Sequence, residues 1–189
     1  MALPQEKQWT YADVLAWDEG ERVELIYSQP HMMAPPSRRH QEVSGALYLQ
    51  IGNFLQDKKC QVYHAPFGVR LFEQDGDTPS QVDTLVEPDL TVVCDPDKLD
   101  DAGCKGAPDL IIEIISPSTQ RHDRFVKYNL YQRAGVREYW IVDPVSHTVS
   151  VYTLEDGAYH AAAVYAGTAS VPVGVLEGCA VDLSRVFPA

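Results

Sequence analysis

Glu113 is the residue whose position most constrains the chemistry of this chain. It lies within the segment 110–115, in which all of the remaining side chains are leucine or isoleucine. A continuous apolar run is typical of a strand that is buried on both faces. A carboxylate in such a strand costs several kcal/mol unless it is paired or binds a metal ion. The sequence leaves two interpretations open: a buried salt bridge to an arginine or lysine, and a metal site.

Asp89 is a second candidate acid, near the start of a predicted strand over 86–93. If this strand neighbours the Glu113 strand, the two carboxylates aim at one point, and their repulsion calls for a cation. Magnesium prefers oxygen ligands and suits such a pair. The alternative is a solvent-exposed strand face, because Glu87, Asp89 and Thr91 alternate onto the same side.

Lys127 lies on the helix predicted after the Glu113 strand. Asp123, Lys127 and Tyr131 are spaced four residues apart and share one face of that helix. A lysine leaning over the carboxylates would orient an attacking water or stabilise a developing phosphate charge. An exposed Asp–Lys helix pair is the commoner explanation of this spacing alone.

Three more polar residues are candidates for supporting roles. Glu24 lies on an early strand, from which an N-terminal element can bring a third acid to the site. His40 stands beside two arginines near the start of the longest predicted helix. There it is either an exposed helix residue or a phosphate contact. Ser116 follows the Glu113 strand and can hydrogen-bond to the residues that hold the metal.

Motifs of other enzyme classes are missing from the sequence. Ser116 and Cys94 lack the G-x-S-x-G pattern of a serine nucleophile. There is no P-loop and no G-x-G-x-x-G, so we expect no nucleotide cofactor. The four cysteines form no C-x-x-C pair, which argues against zinc. We expect all four to be free thiols in a reducing cytoplasm.

Composition and charge limit the class of protein. The chain has 189 residues, 45% hydrophobic and 22% charged, which predicts one globular domain over 1–189. Neither a signal peptide nor a membrane-spanning run is recognisable, so we expect a cytoplasmic location. The net charge of −12 argues against broad, non-specific binding to nucleic acid.

The charge is unevenly distributed along the chain. Residues 73–113 include 12 acidic and 2 basic side chains, whereas residues 116–140 include 5 basic and 2 acidic ones. An acidic cluster beside a basic helix suits a cation site that faces a phosphate. Most of these acids are better explained as a solvated loop, in particular Asp95, Asp97, Asp100 and Asp101.

Hydrophobic periodicity and turn residues predict the elements that must position these side chains. The order of helices and strands indicates an α+β fold, a central mixed β-sheet with helices packed on it. The third helix is predicted to be capped by Ser118 or Thr119 and to run to about Ala134, with Gly135 as its C-terminal cap. The other predicted elements are helices over 10–17 and 38–57, and strands over 23–27, 31–33, 61–64, 68–72, 86–93, 109–115, 137–142, 148–154 and 159–165, with one more strand after 171.

A series of short segments forms an ordered pattern along the chain. The segments are Val23-Glu24-Leu25-Ile26, Pro35-Pro36-Ser37, Arg39-His40-Gln41, Pro66-Phe67-Gly68-Val69-Arg70-Leu71, Glu87-Pro88-Asp89-Leu90, residues 106–119, Asp123, Lys127, Tyr131 and residues 135–144. Over about residues 10–155 this pattern resembles the Uma-two family of restriction-endonuclease-like proteins, which are similar in fold to PD-(D/E)xK nucleases. The resemblance implies a restriction-endonuclease-like fold and metal-dependent cleavage of phosphodiester bonds.

The resemblance also implies roles for individual residues. Asp89 is the aspartate of the nuclease motif and Glu113 its second acid, and together with Glu24 they would hold Mg²⁺, for which Mn²⁺ can substitute. Lys127 is the third catalytic residue, supplied from the following helix because Ile115 stands where the strict motif has lysine. Asp123, Tyr131, Ser116 and His40 would support these residues.

Two other features of the sequence bear on this assignment. A second Pro-Asp pair ends at Asp109, but this residue starts the Glu113 strand only four positions earlier, which favours Asp89 as the motif aspartate. Members of the family often carry Asp-Gly after the strand of Glu24, where this chain has Tyr27-Ser28. That difference changes the turn and need not change the site.

We therefore predict a metal-dependent endonuclease, with DNA as the substrate implied by the resemblance. A homodimer is expected because cutting two strands often uses two copies. The alternative is a catalytically inactive nuclease-fold protein used for binding or assembly, which Ile115 and the net charge of −12 favour. A third possibility is a structural ion pair between the carboxylates and an arginine such as Arg70, with no metal.

Overall fold

A seven-stranded mixed β-sheet organises the fold. The computed structural model describes residues 7–17, 22–116, 122–160 and 163–187, with the backbone alone at position 122. The predicted caps Ser118 and Thr119 lie outside these residues. The strands are β1 Val23–Ile26, β2 Gln29–Met32, β3 Gln61–His64, β4 Val69–Arg70, β5 Leu90–Val93, β6 Leu99–Asp100, β7 Gly103–Lys105, β8 Leu110–Ile114, β9 Glu138–Asp143, β10 Thr148–Glu155, β11 Ala158–Tyr159, β12 Ala163–Ala166, β13 Ser170–Pro172 and β14 Ala180–Asp182.

The central sheet has the strand order β11-β10-β9-β8-β5-β3, and β12 also pairs with β10. The β8–β9 pair is parallel, with Leu110 opposite Glu138. The other pairs in this sheet are antiparallel. Three smaller sheets are formed by β1 with β2, by β13 with β14, and by β4, β7 and β6. This arrangement confirms the predicted α+β class.

Helix α2, Arg38–Leu55, covers one face of the sheet. Its buried residues recur every four positions, and this spacing forms a single apolar stripe. The stripe belongs to the same hydrophobic cluster as Leu110, Ile112 and Ile114 of β8. Alternate side chains of β8 therefore face α2. The stripe consists of Val43, Leu47, Ile51 and Leu55.

The opposite face of the sheet is covered by a helical segment that begins as a π-helix, His122–Lys127, and continues as α3, Tyr128–Ala134. Leu130 and Tyr131 pack there with Ile111 and Ile115. Since Glu113 lies between these two isoleucines in the alternation, its side chain is directed to this face. Gly135 ends the helix with φ 89°, as predicted from the sequence.

Several boundaries differ from the predictions. Helix α2 ends at Leu55, and helix α1 spans only Tyr11–Val14, where Asp13 accepts hydrogen bonds from Thr10. The predicted strand over 86–93 is shorter, because Pro88 has no N–H to donate to a ladder. The ordered strand is β5, and Val86 forms an isolated bridge with Val69.

Tight turns join the shorter strands. Tyr27 and Ser28, with φ 48° and 63°, connect β1 to β2. The predicted Asp156-Gly157 turn is confirmed, with φ 51° and 79°, and it joins β10 to β11. Positive φ at both central residues is typical of a type I′ hairpin turn.

The cysteines correct one prediction. Cys60 and Cys94 form a disulfide, whereas Cys104 and Cys179 are free and buried. Cys60 precedes β3 and Cys94 follows β5, and the antiparallel register places Gln61 opposite Val93. The expectation of four free thiols was therefore wrong. Strand pairing brings the two residues together, and their separation in sequence gives no sign of it.

None of the helices within the described ranges has both the length and the apolar character needed to cross a membrane.

Candidate active site

The buried carboxylate of Glu113 is paired, as its position in the sequence requires. Its Oε1 accepts hydrogen bonds from Lys127 Nζ at 2.9 Å and from the Tyr131 hydroxyl at 2.6 Å. Both donors come from the helical segment that packs on this face of the sheet. The predicted common face of Asp123, Lys127 and Tyr131 is thus directed at Glu113 and is buried.

Lys127 lies among three carboxylates. Its Nζ also donates to Glu24 Oε1 at 2.8 Å and lies 3.8 Å from Asp123 Oδ1. The side chains of all four residues in this cluster are only 5–6% exposed. One ammonium therefore faces an excess of carboxylates in a buried setting. Such an excess favours binding of a further cation or protonation of one acid.

The pKa values respond to this imbalance. Burial raises the pKa of Glu113 to about 8, and the charges of Asp123 and Asp89 act in the same direction against Lys127. Burial alone would lower the pKa of Lys127, but the carboxylates of Glu113 and Glu24 outweigh it, so this pKa lies well above its usual value. Lys127 therefore keeps its proton at neutral pH and acts as a fixed positive charge.

Asp89 lies next to this cluster. It immediately precedes β5, and the register of Leu90 with Ile112 brings it beside Glu113 on the neighbouring strand. Its Oδ2 accepts a hydrogen bond from the backbone N–H of Ile114 at 2.7 Å. The predicted proximity of the Asp89 and Glu113 strands is confirmed by this antiparallel pairing.

His40 is the side-chain partner of Asp89. Its Nε2 lies 3.1 Å from Asp89 Oδ2, and its side chain is 15% exposed. Ser37 caps the helix by accepting a hydrogen bond from the His40 N–H, which fixes the first turn of α2 beside the sheet. Burial lowers the pKa of His40, but the hydrogen bond and charge of Asp89 outweigh it, and the net pKa is raised. Interpreting His40 as an exposed helix residue was wrong.

Glu24 reaches the cluster through the β1–β2 hairpin. Leu25 and Leu85 exchange backbone hydrogen bonds of 2.7 Å, which tie the hairpin to the segment leading to Asp89. Glu24 Oε1 accepts the backbone N–H of Glu87 at 3.0 Å in addition to Lys127. The predicted contribution of an acid from an N-terminal element thus matches the position of Glu24.

A cavity of about 660 Å³ opens over these residues. The polar cluster contributes Glu24, Asp89, Glu113, Asp123 and Lys127 to its wall, and Ser116 and His40 also line it. Further lining comes from the loop between β2 and α2 and from the turn after β9. Of the eight candidate site residues, the seven apart from Tyr131 therefore line the same cavity.

The sequence analysis missed the carboxylate partners of two arginines near these residues, Arg22 and Arg70. Arg22 donates to Glu87 Oε2 through Nε and Nη2, at 3.0 and 2.7 Å, so Glu87 does not belong to an unpaired solvent-exposed face. Arg70 is buried and pairs with Glu73 and Asp100. The suggested pairing of Arg70 with the site carboxylates was wrong, and Asp100 is more than a solvated loop residue.

Asp109, the other Pro-Asp aspartate, has different partners. Its Oδ2 accepts the Cys94 N–H at 2.7 Å, and its Oδ1 accepts from Arg137 at 2.9 Å. These contacts hold the start of β8 against the end of β5. Asp109 does not line the cavity. Its role in the described structure is to anchor a strand.

The carboxylates offer a partial fit to a magnesium ion. The hydrogen bonds of Asp89 and Glu113 use Oδ2 and Oε1, and no bond to the second oxygen of either group occurs within the described part of the chain. Two carboxylates completed by water are an ordinary ligand set for Mg²⁺. No group of three acidic, histidine or cysteine side chains in the described ranges has the spacing of a metal site. The contacts of Glu24 are to Lys127 and Glu87.

Comparisons with known proteins identify the family and the fold of the chain. The Uma2 family, described as "Putative restriction endonuclease", matches residues 11–184. An uncharacterized protein of Synechocystis sp. is 26% identical over 147 residues, which are 76% of this chain and 73% of that protein. A crystal structure of a "putative nuclease" from Anabaena variabilis has a TM-score of 0.73 at 18% identity and covers 94% of this chain and 97% of that one. The fold is thus restriction-endonuclease-like, and the chain belongs to the Uma2 family.

Proposed function

We propose that this protein is a metal-dependent endonuclease that hydrolyses phosphodiester bonds of DNA. The supporting observation is the convergence of Glu113, Asp89 and Lys127 on one cavity, with one ammonium among an excess of buried carboxylates. A scissile phosphate needs positive charge beside it and oxygen ligands for a metal. This cavity offers both on neighbouring elements of a nuclease fold.

The residues of the cluster have separate roles in this proposal. Asp89 and Glu113 would hold the ion through Oδ1 and Oε2, the carboxylate oxygens that do not take part in their hydrogen bonds. Mg²⁺, or Mn²⁺ in its place, would supply Lewis-acid polarisation of the phosphate when bound. Lys127, protonated at neutral pH, stabilises negative charge that develops on the phosphate oxygens and orients an attacking water as a donor.

The remaining residues hold this arrangement in place. Glu24 and Asp123 keep the ammonium of Lys127 over the carboxylates, and Tyr131 fixes Oε1 of Glu113. His40 orients Asp89 from the first turn of α2. Ser116 lines the cavity beside them and would hydrogen-bond to the residues that hold the ion.

The test combines metal binding with cleavage. Mn²⁺ binding is measured by calorimetry, and hydrolysis of labelled DNA is measured with Mg²⁺, for the wild type, Asp89→Asn and Glu113→Gln. Asp109→Asn is the matched control, because it is the other Pro-Asp aspartate and lies outside the cavity. We expect both activities in the wild type and in the control, and a loss of at least about a hundredfold in cleavage in each site variant.

A folded wild type that neither binds Mn²⁺ nor cleaves DNA would contradict the proposal. That result would favour the alternative, a nuclease-fold protein that acts by binding or assembly. Equal loss in Asp109→Asn would indicate a folding defect instead of a site. The expected homodimer is checked on the same samples by light scattering.

A further inference from the structure

Two large apolar side chains are exposed at the cavity that holds Glu113 and Lys127. Met32, at the end of β2, is 62% exposed, and Val145, in the turn after β9, is 71% exposed. Both line the cavity, although they come from different elements of the fold. Single exposed apolar residues need no explanation. Two of them on the wall of a polar, buried-acid cavity indicate a ligand with an apolar surface of its own.

The wall beside Met32 is continuous with the apolar loop that leads into α2. Pro35 and Pro36 in this loop are exposed and also line the cavity. Methionine and proline are among the side chains that proteins place against unstacked base faces. In a double helix these faces are covered by neighbouring bases, whereas in a single strand they are accessible.

The cations of the cavity point to few phosphate contacts. Arg22 is paired with Glu87, and Lys127 is paired with Glu24 and Glu113. Among the arginine and lysine side chains that line the cavity, Arg39 has no carboxylate partner within the described ranges, and it is exposed. Affinity for a duplex rests on many neutralised phosphates. One unpaired guanidinium suits a single phosphate of a flexible strand.

The size of the cavity supports the same substrate. About 660 Å³ lies within the range of pockets that enclose small molecules, and it is concave. A pocket of this size encloses a ligand about as large as a nucleotide. A duplex would bring a dense row of phosphate charges against a protein whose net charge is −12.

We propose that the cavity selects single-stranded DNA, whose bases next to the scissile phosphate pack on the apolar rim formed by Met32 and Val145. Arg39 contacts a neighbouring phosphate. This inference rests on the proposed nuclease function, and it specifies the substrate class of the same site. It requires the bases to be unstacked before the phosphate reaches the carboxylates.

The test measures binding without cleavage. The probes are a fluorescein-labelled single-stranded DNA 20-mer, its duplex and the RNA of the same sequence. Binding of each probe is measured by fluorescence anisotropy, with Ca²⁺ in place of Mg²⁺. The double variant Met32→Ser/Val145→Ser is compared with Leu49→Ser/Val164→Ser. Leu49 and Val164 are 61% and 64% exposed and do not line the cavity, so they match the rim residues in exposure.

We expect the wild type to bind the single strand at least about tenfold more tightly than the duplex, and the rim variant to lose at least about tenfold in affinity. The control variant should stay within about twofold of the wild type. Tighter binding of the duplex or of the RNA, or an equal loss in both variants, would overturn the inference.

Cleavage separates this inference from the proposed function. Mg²⁺-dependent hydrolysis of a duplex that the rim variant leaves unchanged would keep the nuclease and overturn the selection of single strands. Single-strand binding that depends on the rim, without hydrolysis of any probe by the wild type, would support the base-binding rim and contradict the nuclease.

Discussion

At the scale of single residues, the ammonium of Lys127 controls the buried carboxylates. It contacts Glu24 and Glu113 directly and lies near Asp123. Removing one partner of a buried ion pair leaves the others uncompensated in a medium of low polarity. The site and the stability of the protein therefore depend on the same side chain.

We expect Lys127→Met to destabilise the fold by about 3–5 kcal/mol at neutral pH. The loss should be smaller at pH 5 than at pH 8, because burial raises the pKa of Glu113 to about 8 and this stranded carboxylate takes up a proton in acid. Urea unfolding of both proteins at the two pH values measures this difference. A pH-independent loss would indicate that the methionine fails to pack, and that charge is not the cause.

His40 gives a second, opposite pH signature. Its pKa in the folded protein is raised above its unfolded value of 6.5 by Asp89. The stability that this pair contributes is therefore fully present below pH 6.5 and is lost as the pH rises through the folded pKa. We expect His40→Gln to cost about 1.5–3 kcal/mol at pH 6 and less at pH 9 in metal-free protein.

His160 is the control for this measurement. It lies 3.8 Å from Glu155, but both side chains are more than half exposed, so water screens the pair. We expect His160→Gln to change the free energy of unfolding little at either pH. An equal pH dependence in the two variants would contradict the role given to the His40–Asp89 contact.

Residue types alone carried much of the site. Glu113 in an apolar strand requires a partner. The sequence left two kinds of partner open: a basic side chain, such as a lysine on the next helix, and a metal ion. The sequence could not show which partner it has, because helix phase and strand register decide that Lys127, and not Arg70, reaches Oε1. The burial of His40 also depends on a contact with a residue 49 positions away.

At the scale of elements, the β1–β2 hairpin delivers Glu24 through a strained turn. Tyr27 and Ser28 both have positive φ, a region that favours glycine or asparagine. We expect Ser28→Gly to raise the stability by about 0.5–1 kcal/mol, because glycine adopts this conformation without a steric cost. Thermal unfolding at fixed protein concentration measures the change.

The turn at Asp156-Gly157 provides the reverse experiment. Gly157 has φ 79°, and a side chain added there would meet no atom within 4 Å. Gly157→Ser should therefore lower the stability by a similar amount, through backbone conformation alone. If both variants shift the melting temperature in the same direction, the conformational argument fails.

Glu138 ties the central sheet to the C-terminal segment. Its Oε1 accepts from Trp140 Nε1 at 2.6 Å and its Oε2 accepts from the Val175 N–H at 2.8 Å, so both oxygens are used. Gln in its place presents an amide N–H to one of these donors. We expect Glu138→Gln to cost about 1–3 kcal/mol.

The same variant is informative about the cavity, because Glu138 does not line it. Cleavage per folded molecule should be unchanged in Glu138→Gln. A loss of activity at a temperature where the protein is fully folded would contradict the view that the hydrogen bonds of Glu138 are independent of the site.

Long segments with a clear hydrophobic repeat were predicted from the sequence, and very short strands were not. The apolar repeat of α2 and the isoleucine-rich β8 were recognisable, because they are long and periodic. The strands β6 and β7, in a region predicted to be a polar loop, have two and three residues; they pair with each other, and β7 also pairs with β4. Short strands of this kind carry too few side chains to form a pattern.

At the scale of the whole molecule, the sheet separates two layers with different tasks. The α2 side is an apolar core in which Glu138 is hydrogen-bonded to Trp140, whereas the α3 side combines apolar packing with the buried charged cluster. The fold class followed from the order of elements, since mixed strands and intervening helices fit few architectures. The pairing of Cys60 with Cys94 did not, because it depends on which strands become neighbours.

The disulfide between Cys60 and Cys94 also has a consequence for the connectivity of the chain. It closes a covalent ring over residues 60–94, which contains Asp89 but not Glu113 or Lys127. A protease that cuts the exposed loop near Gly76 would open this ring without releasing a fragment. The nicked protein should run as one band on a non-reducing gel and as two after reduction, and Asp89 would stay attached to β5, the strand that neighbours β8.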